Sequence, residues 1–303
     1  MTRRYRGYAL ILQSEFDLPG AVELDESDAS VPDITILQRE VPTDGWHDRR
    51  IAFARLGQDM IVSFPGCATY RCTRHNQIHV DPDPAAECGD VVARLGAFAI
   101  PALLWMRGDI LLHAGAAILP GDRAATVIAG HSGSGKTTVL RQLMEIGAAI
   151  VADDVVRIGP ARLVSGLPAL LSSSAVPGNR YVPPAQQSGA APLGSVRLLL
   201  LPRASDEPEF ERLPVVRAME ALLAFQYRPR IPRMLGLART MLPPLAGIAE
   251  VTPMATWRRS ETRIALDERE RSLLRGDFGI AQSAARVDGI NGAEQGGAHR
   301  DRR

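Results

Sequence analysis

GHSGSGKT, residues 130–137, decides how this chain is read. Gly130, Gly135, Lys136 and Thr137 fill the fixed positions of G-x-x-x-x-G-K-[ST], with His131, Ser132, Gly133 and Ser134 between them and Thr138 following. Glycines let such a loop bend until successive backbone N–H groups point at one spot and cradle phosphate. Lys136 adds a mobile positive charge for the β- and γ-phosphates, and the Thr137 hydroxyl is a suitable Mg²⁺ ligand. The flanks agree with the motif. Ala124-Ala125-Thr126-Val127-Ile128-Ala129 has strand character, and Val139, Leu140, Leu143 and Met144 recur at helical spacing before Gly147. A helix begun there aims the positive end of its dipole at the phosphates. Residues 130–138 are therefore expected to bind ATP with Mg²⁺. His131 is expected to face solvent.

Chemistry-bearing residues lie on both sides of the loop. Downstream, the apolar run Ala148–Ala152 ends in Asp153-Asp154. A strand end beside a phosphate loop is where open α/β sheets place ligands. One carboxylate there can orient or deprotonate an attacking hydroxyl, and a second can hold Mg²⁺. Upstream, His113 ends the apolar run Ile110-Leu111-Leu112 within LLHAGAAIL. Beside a phosphate loop and an aspartate pair, it is expected to pair with an aspartate or to stabilise charge on the transferred group. Arg180, Arg228, Arg230 and Arg233 are further cations of the kind phosphoryl transfer uses. The RPRIPR run reads better as ordinary surface.

Composition bounds the rest. The chain has 303 residues, 46% hydrophobic and 23% charged, as expected of a globular protein of about two domains. A formal net charge of +1 gives no global electrostatic case for nucleic acid or a membrane as partner. Cys67, Cys72 and Cys88 are too few and too scattered for a disulfide framework, and are expected to be reduced thiols. The apolar run near the N-terminus is too short for a signal core, and Leu95–Met106 is too short to span a bilayer and reads as a buried helix. A cytoplasmic location, where ATP and Mg²⁺ abound, follows. A homo-oligomer is compatible with this composition.

Strand-like runs at 8–12, 34–37, 51–54 and 60–64, punctuated by Gly, Pro and Asp, predict a β-rich or α+β unit over residues 1–90. A helix at roughly 91–106 opens a second unit, 91–282, that carries the phosphate loop. Ser172 to Gly194 is rich in Pro, Gly and Ser and is expected to be a long loop near the site. Val196–Leu201 reads as a buried strand, and Val215–Tyr227 as a helix. Residues 283–303 are Gly-rich, polar and aperiodic, and are expected to form a disordered tail.

HAG at 113–115, GHSGSGKT at 130–137 and GAAIVADD at 147–154 together resemble the C-terminal domain of HPr serine kinase/phosphorylase. The resemblance implies an α/β kinase domain of the HPr kinase and phosphoenolpyruvate carboxykinase type, preceded here by a smaller N-terminal domain. It implies Asp153 as the base that takes a serine proton, with His113 and Lys136 in catalytic support and Thr137 and Asp154 holding Mg²⁺. The Arg- and Gly-rich signature that follows ADD in that family, linked to its phosphorylase activity, has no counterpart here. Neither phosphorylase activity nor HPr as substrate is therefore implied. The opening YRGYALILQSEFDLPGA, 5–21 from Tyr5 onward, is similar to the start of HPr-kinase-like proteins found with lasso and other ribosomal peptide biosynthesis. That similarity implies a serine-bearing precursor peptide as substrate. The N-terminal domain carries no catalytic signature and stands apart from the ATP site in sequence, so it is expected to help recognise the leader or partner.

Two other functions use the same loop. Small-molecule kinases of the shikimate or gluconate type place an aspartate-ended strand similarly, but their phosphate loop lies at the very N-terminus. A non-catalytic ATP-binding module of a biosynthetic complex needs the loop alone.

Overall fold

The computed structural model describes residues 2–25, 27–42, 52–167, 170–171, 181–182, 188–200, 209–259 and 265–274. Residues Met1–Leu266 and Asp267–Arg303 form two contact-defined units. The fold is mixed α/β, with two large sheets in the first unit.

The first sheet uses β1 (Arg3–Gly7), β2 (Leu10–Ser14), β3 (Val22–Glu23), β4 (Ile34–Gln38), β5 (Ala52–Leu56), β6 (Asp59–Phe64), β7 (Ala68–Cys72) and β8 (Gln77–Pro82). Their order is β3-β1-β2-β4-β8-β7-β6-β5, with β2–β4 and β4–β8 parallel and the remaining pairs antiparallel. Alternate residues point inward: Leu10 and Leu12 on β2, Ile34 and Ile36 on β4, Ile78 and Val80 on β8 are all buried. The predicted strand at 8–12 is instead a turn followed by a strand. Tyr8 and Ala9 form a two-residue hairpin turn with φ of 58° and 53°, both left-handed. Such turns normally carry Asn or Gly, so the sequence gives no hairpin signal there. Strands β7 and β8 also went unmarked.

A helical run lies on this sheet: α1 (Cys88–Arg94), a π-helical turn (Leu95–Ala99) and α2 (Ile100–Met106). Tyr70 Oη donates to Val91 O at 2.7 Å, and Cys72 Sγ donates to Ala99 O at 3.3 Å. Burial pushes the Cys72 thiol up to about 12, which makes it unreactive, and all three cysteines are free. Pro101 has no N–H to give the carbonyl of Ala97 four residues back. That carbonyl instead accepts from Tyr227 Oη at 3.1 Å and Arg228 Nε at 2.7 Å. Cys88–Met106, 19 residues with mean hydropathy 1.4, is long and apolar enough to cross a membrane by length and composition. Leu95 and the run Ala99–Trp105 within it are buried in the protein core.

The second sheet starts with β9 (Ile110–Ile118), β10 (Ala125–Ala129), β11 (Ala149–Ala152), β12 (Val155–Ile158) and β13 (Leu163–Ser165). A small pair, β14 (Leu170–Leu171) and β15 (Tyr181–Val182), stands apart. Strands β16 (Ala190–Leu200), β17 (Glu209–Arg212) and β18 (Met254–Arg258) complete the sheet. Pairings run β10-β9-β12-β13-β16 and return from β16 to β10, a closed circuit, while β18 and β17 extend from β16. Of the expected Ser172–Gly194 loop, Tyr181–Val182 and residues 190–194 are strand. The rest lies largely outside the described residues, as do Arg180 and the 283–303 tail.

Helix α3 (Lys136–Glu145) follows the phosphate loop and packs on β9, where a Cβ at Gly115 would lie 2.5 Å from Leu140 Cδ1. Helix α4 (Val215–Ala224) ends before the predicted Tyr227, because residues 225–227 leave the helix to pair with β9. Helices α5 (Arg230–Met234) and α6 (Leu242–Val251) follow. In the second unit, α7 (Glu268–Leu274) is capped reciprocally: Asp267 Oδ1 accepts from Glu270 N, and Glu270 Oε2 from Asp267 N.

The two sheets meet at the Tyr8 turn. Tyr8 N donates to Gly166 O at 2.9 Å, and Arg157 Nη1 donates to Tyr8 O at 2.6 Å. Arg157 also pairs with Asp109 at 2.9 Å, both side chains under 8% exposed. Removing one partner of a buried pair strands the other's charge, so Arg157→Met is expected to cost about 3–5 kcal/mol, with Asp109→Leu in the same chain recovering most of it. A Cβ on Gly166 would sit 2.2 Å from Ala152 Cβ and 2.8 Å from Val155 O. Gly166→Ala should therefore lower stability by about 1–3 kcal/mol in urea unfolding. Gly247→Ala, in the α6 interior with nothing within 4 Å of its new Cβ, should be neutral or stabilise by about 1 kcal/mol.

Candidate functional site

The phosphate loop joins β10 to α3 and reaches its shape through glycine. Gly133 has φ 81°, and Gly135, at the helix N-cap, has φ 83°. A side chain would be strained at either position. His131 is exposed, as expected from the sequence, and its ring also lies 5.1 Å from that of Phe225. Ser132, Gly133 and Thr138 are exposed as well. The Ser134 hydroxyl is buried with no hydrogen-bond partner among the described residues.

Lys136 is 6% exposed. Its Nζ donates to Gly130 O and His131 O, both at 2.9 Å, and lies 3.1 Å from His113 Nε2. An ammonium has three donors and no acceptor, so His113 Nε2 accepts and the ring carries its proton on Nδ1. Nδ1 then donates toward Asp154, 3.2 Å from Oδ1 and 3.3 Å from the backbone O. Burial pushes the Lys136 pKa down, against the attraction of the Asp154 and Asp153 carboxylates.

Strand β9 sets this geometry. Its second half pairs with β10 on one side and β11 on the other, while β12 pairs with the first half, Val155 opposite His113. The chain passes from β11 to β12 through Asp153 and Asp154. Val155 N bonds back to Asp153 O at 2.9 Å around Asp154, whose φ is 68°. This is the rare, strained form of the γ-turn, in a region that aspartate tolerates better than most residues. The turn breaks the strand's alternation, so consecutive carboxylates both reach the site. Thr137 Oγ1 donates to Asp153 at 3.1 Å from Oδ1 and 3.2 Å from Oδ2, and Asp154 N donates to Asp153 Oδ1 at 3.0 Å.

The sequence pointed to His113, Lys136, Thr137, Asp153 and Asp154, and the fold brings all five together. It gave no sign of Phe225 and Tyr227. Phe225 O accepts from His113 N, and Tyr227 N donates to Leu111 O, each at 2.8 Å, so this segment braces the free edge of β9. Arg228 is committed to packing: its guanidinium sits 3.4 Å from the Phe98 ring centroid. Arg230 and Arg233 are exposed on α5.

Both aspartates also line a cleft of about 570 Å³. Its walls come from the Tyr8 turn, β2 and the Leu18–Ala21 loop on one side, and α1 with the π-helical turn on the other.

The residues present suit ATP and Mg²⁺. Ser134 keeps an unused buried hydroxyl, and Thr137 and Asp153 already converge. Among the described residues no cluster of three or more His, Cys, Asp or Glu forms a metal cage. Mg²⁺ needs none, because it binds through one or two carboxylates and the substrate's own phosphates.

No family model matches this chain, and no curated protein sequence matches it. Among solved structures, the Hpr(Ser) kinase/phosphatase from Coxiella burnetii aligns with 55% of this chain and 91% of its own, at 11% identity and a TM-score of 0.31.

Proposed function

We propose that this protein is an ATP- and Mg²⁺-dependent kinase that phosphorylates a serine hydroxyl of a peptide or protein. A ribosomal precursor peptide of the lasso type is the substrate class suggested by the opening residues and the HAG, GHSGSGKT and ADD motifs. The observation that carries the reading is the convergence of Lys136, Thr137, His113 and both aspartates beside one cleft. A nucleotide-binding module has no use for a paired, strained acidic turn opening onto a cleft.

The step is an in-line displacement. The serine oxygen bonds to the γ-phosphorus, the bond from that phosphorus to the β–γ bridging oxygen breaks, and ADP leaves with the electron pair. The hydroxyl proton passes to a carboxylate. Bound Mg²⁺ would supply charge neutralisation on the β- and γ-phosphate oxygens. Lys136, on a flexible stem, exchanges the Gly130 and His131 carbonyls for phosphate oxygens. The loop N–H groups and the α3 N-terminus hold the phosphates. His113 holds Asp154 and Lys136 in register. An enzyme of this kind works where ATP is plentiful, in the cytoplasm.

The resemblance gives the proton to Asp153 and the metal to Thr137 and Asp154. One contact favours the exchanged roles. The Thr137 hydroxyl meets both carboxylate oxygens of Asp153, which is 7% exposed, whereas the more open Asp154 bonds to His113. A metal shared with Thr137 would then belong to Asp153, and the histidine-linked Asp154 would take the proton.

Mass spectrometry of serine peptides incubated with the protein, ATP and Mg²⁺ tests the function. A phosphate gain on serine is expected, and its absence despite ATP binding would sink the proposal. Asp153→Asn and Asp154→Asn separate the two assignments. Replacing the base should cut kcat by about 10²–10⁴-fold at every Mg²⁺ concentration. Replacing the metal ligand should raise the Mg²⁺ needed for half-maximal rate.

A further inference from the structure

The cleft beside the aspartates has a one-sided lining that bears on what it takes. Part of its lining is apolar: Ala21 and Leu167 on one side, Ala93 and Ala97 from the helical run. Among the described residues its ionisable lining includes four carboxylates, Glu87, Asp90, Asp153 and Asp154, and no lysine or arginine. Glu87 and Asp90 stand exposed at the start of α1, and neither forms an ion pair among the described residues. The Tyr8 wall is built under strain, a left-handed turn clamped by Gly166 and Arg157. Backbone strain held in place by surrounding contacts is characteristic of binding sites.

We infer that this cleft is the acceptor site, and that it selects a peptide whose serine is flanked by an apolar residue and, a few residues away, a lysine or arginine. This rests on the kinase reading above and specifies its substrate. The serine meets Asp153 and Asp154, the apolar side chain lies against Ala21, Ala97 and Leu167, and the basic side chain meets Glu87 and Asp90. The same lining repels anionic acceptors. A sugar acid or an acidic peptide would bring its charge among four carboxylates, two of them, Glu87 and Asp90, without a paired cation among the described residues, and discrimination of this kind uses such a repulsive element.

The test is an array of short serine-centred peptides, each flanking position varied in turn, phosphorylated with labelled ATP. Apolar and basic flanks should be favoured, and replacing the basic residue by glutamate should lower kcat/KM by about tenfold. The variant Glu87→Lys/Asp90→Lys changes only exposed rim positions and should turn the preference from basic toward acidic peptides. Gly96→Leu fills the cleft, since a Cβ there meets nothing within 4 Å. It should abolish peptide phosphorylation while ATP affinity and melting temperature, measured separately, hold. Phosphorylation without flank preference would overturn the acceptor site and leave the kinase standing. So would a preference unmoved by the rim reversal, or a fully active Gly96→Leu. Failure to phosphorylate any peptide, with ATP bound, would overturn the kinase reading and this site with it.

Discussion

The pairing of β9 is the constraint on which the site depends. Every buried backbone N–H and C=O must find a partner, and β9 finds its partners on both edges. Beyond His113, β10 and β11 take the two edges. Up to His113, β12 takes one and the 225–227 segment the other. His113 stands where these partners change. A slip of one residue would turn its side chain to the opposite face. With the register fixed, the imidazole is caught between the ammonium of the phosphate loop and the carboxylate of the turn.

The acidic turn follows from the same change of partner. Strand β11 serves the far half of β9 and β12 the near half, so the chain must shift register within two residues. A bulge before Ala152 and the tight turn at Asp154 take up the shift. Strain of order 1–3 kcal/mol is tolerable at such a point because contacts on every side hold it. Ala114 N bonds to Asp154 O, Asp153 N to Leu167 O, and Asp154 N to the Asp153 carboxylate. The two carboxylates thus diverge in role while adjacent in sequence: one faces the threonine of the loop, the other the histidine of β9.

A different economy governs the cleft. The helical run on the first sheet contains Pro101, which leaves the Ala97 carbonyl without its usual helical donor. Tyr227 and Arg228 supply donors from a segment more than a hundred residues later in the chain. Across the cleft, the Tyr8 turn is tied to the second sheet by a buried arginine whose charge Asp109 offsets. The cleft walls are therefore fastened to the second sheet at two places, each through a polar group that would be costly to leave unpaired.

The sequence by itself determined the local parts. The glycine spacing of 130–137, the apolar run before it and the helical period after it specify a strand, loop and helix through near neighbours alone. Those elements lie at 125–129 and 136–145. His113 and the Asp153-Asp154 pair were also legible, because a polar residue ending an apolar run is conspicuous. Only the tertiary structure decided which aspartate meets the threonine, that Phe225 and Tyr227 leave their helix to brace β9, and that a Tyr-Ala turn with no glycine walls a cleft. Each of these is a pairing between segments far apart in the chain. The energy of such a contact resides in the partner, so no local pattern of residues records it.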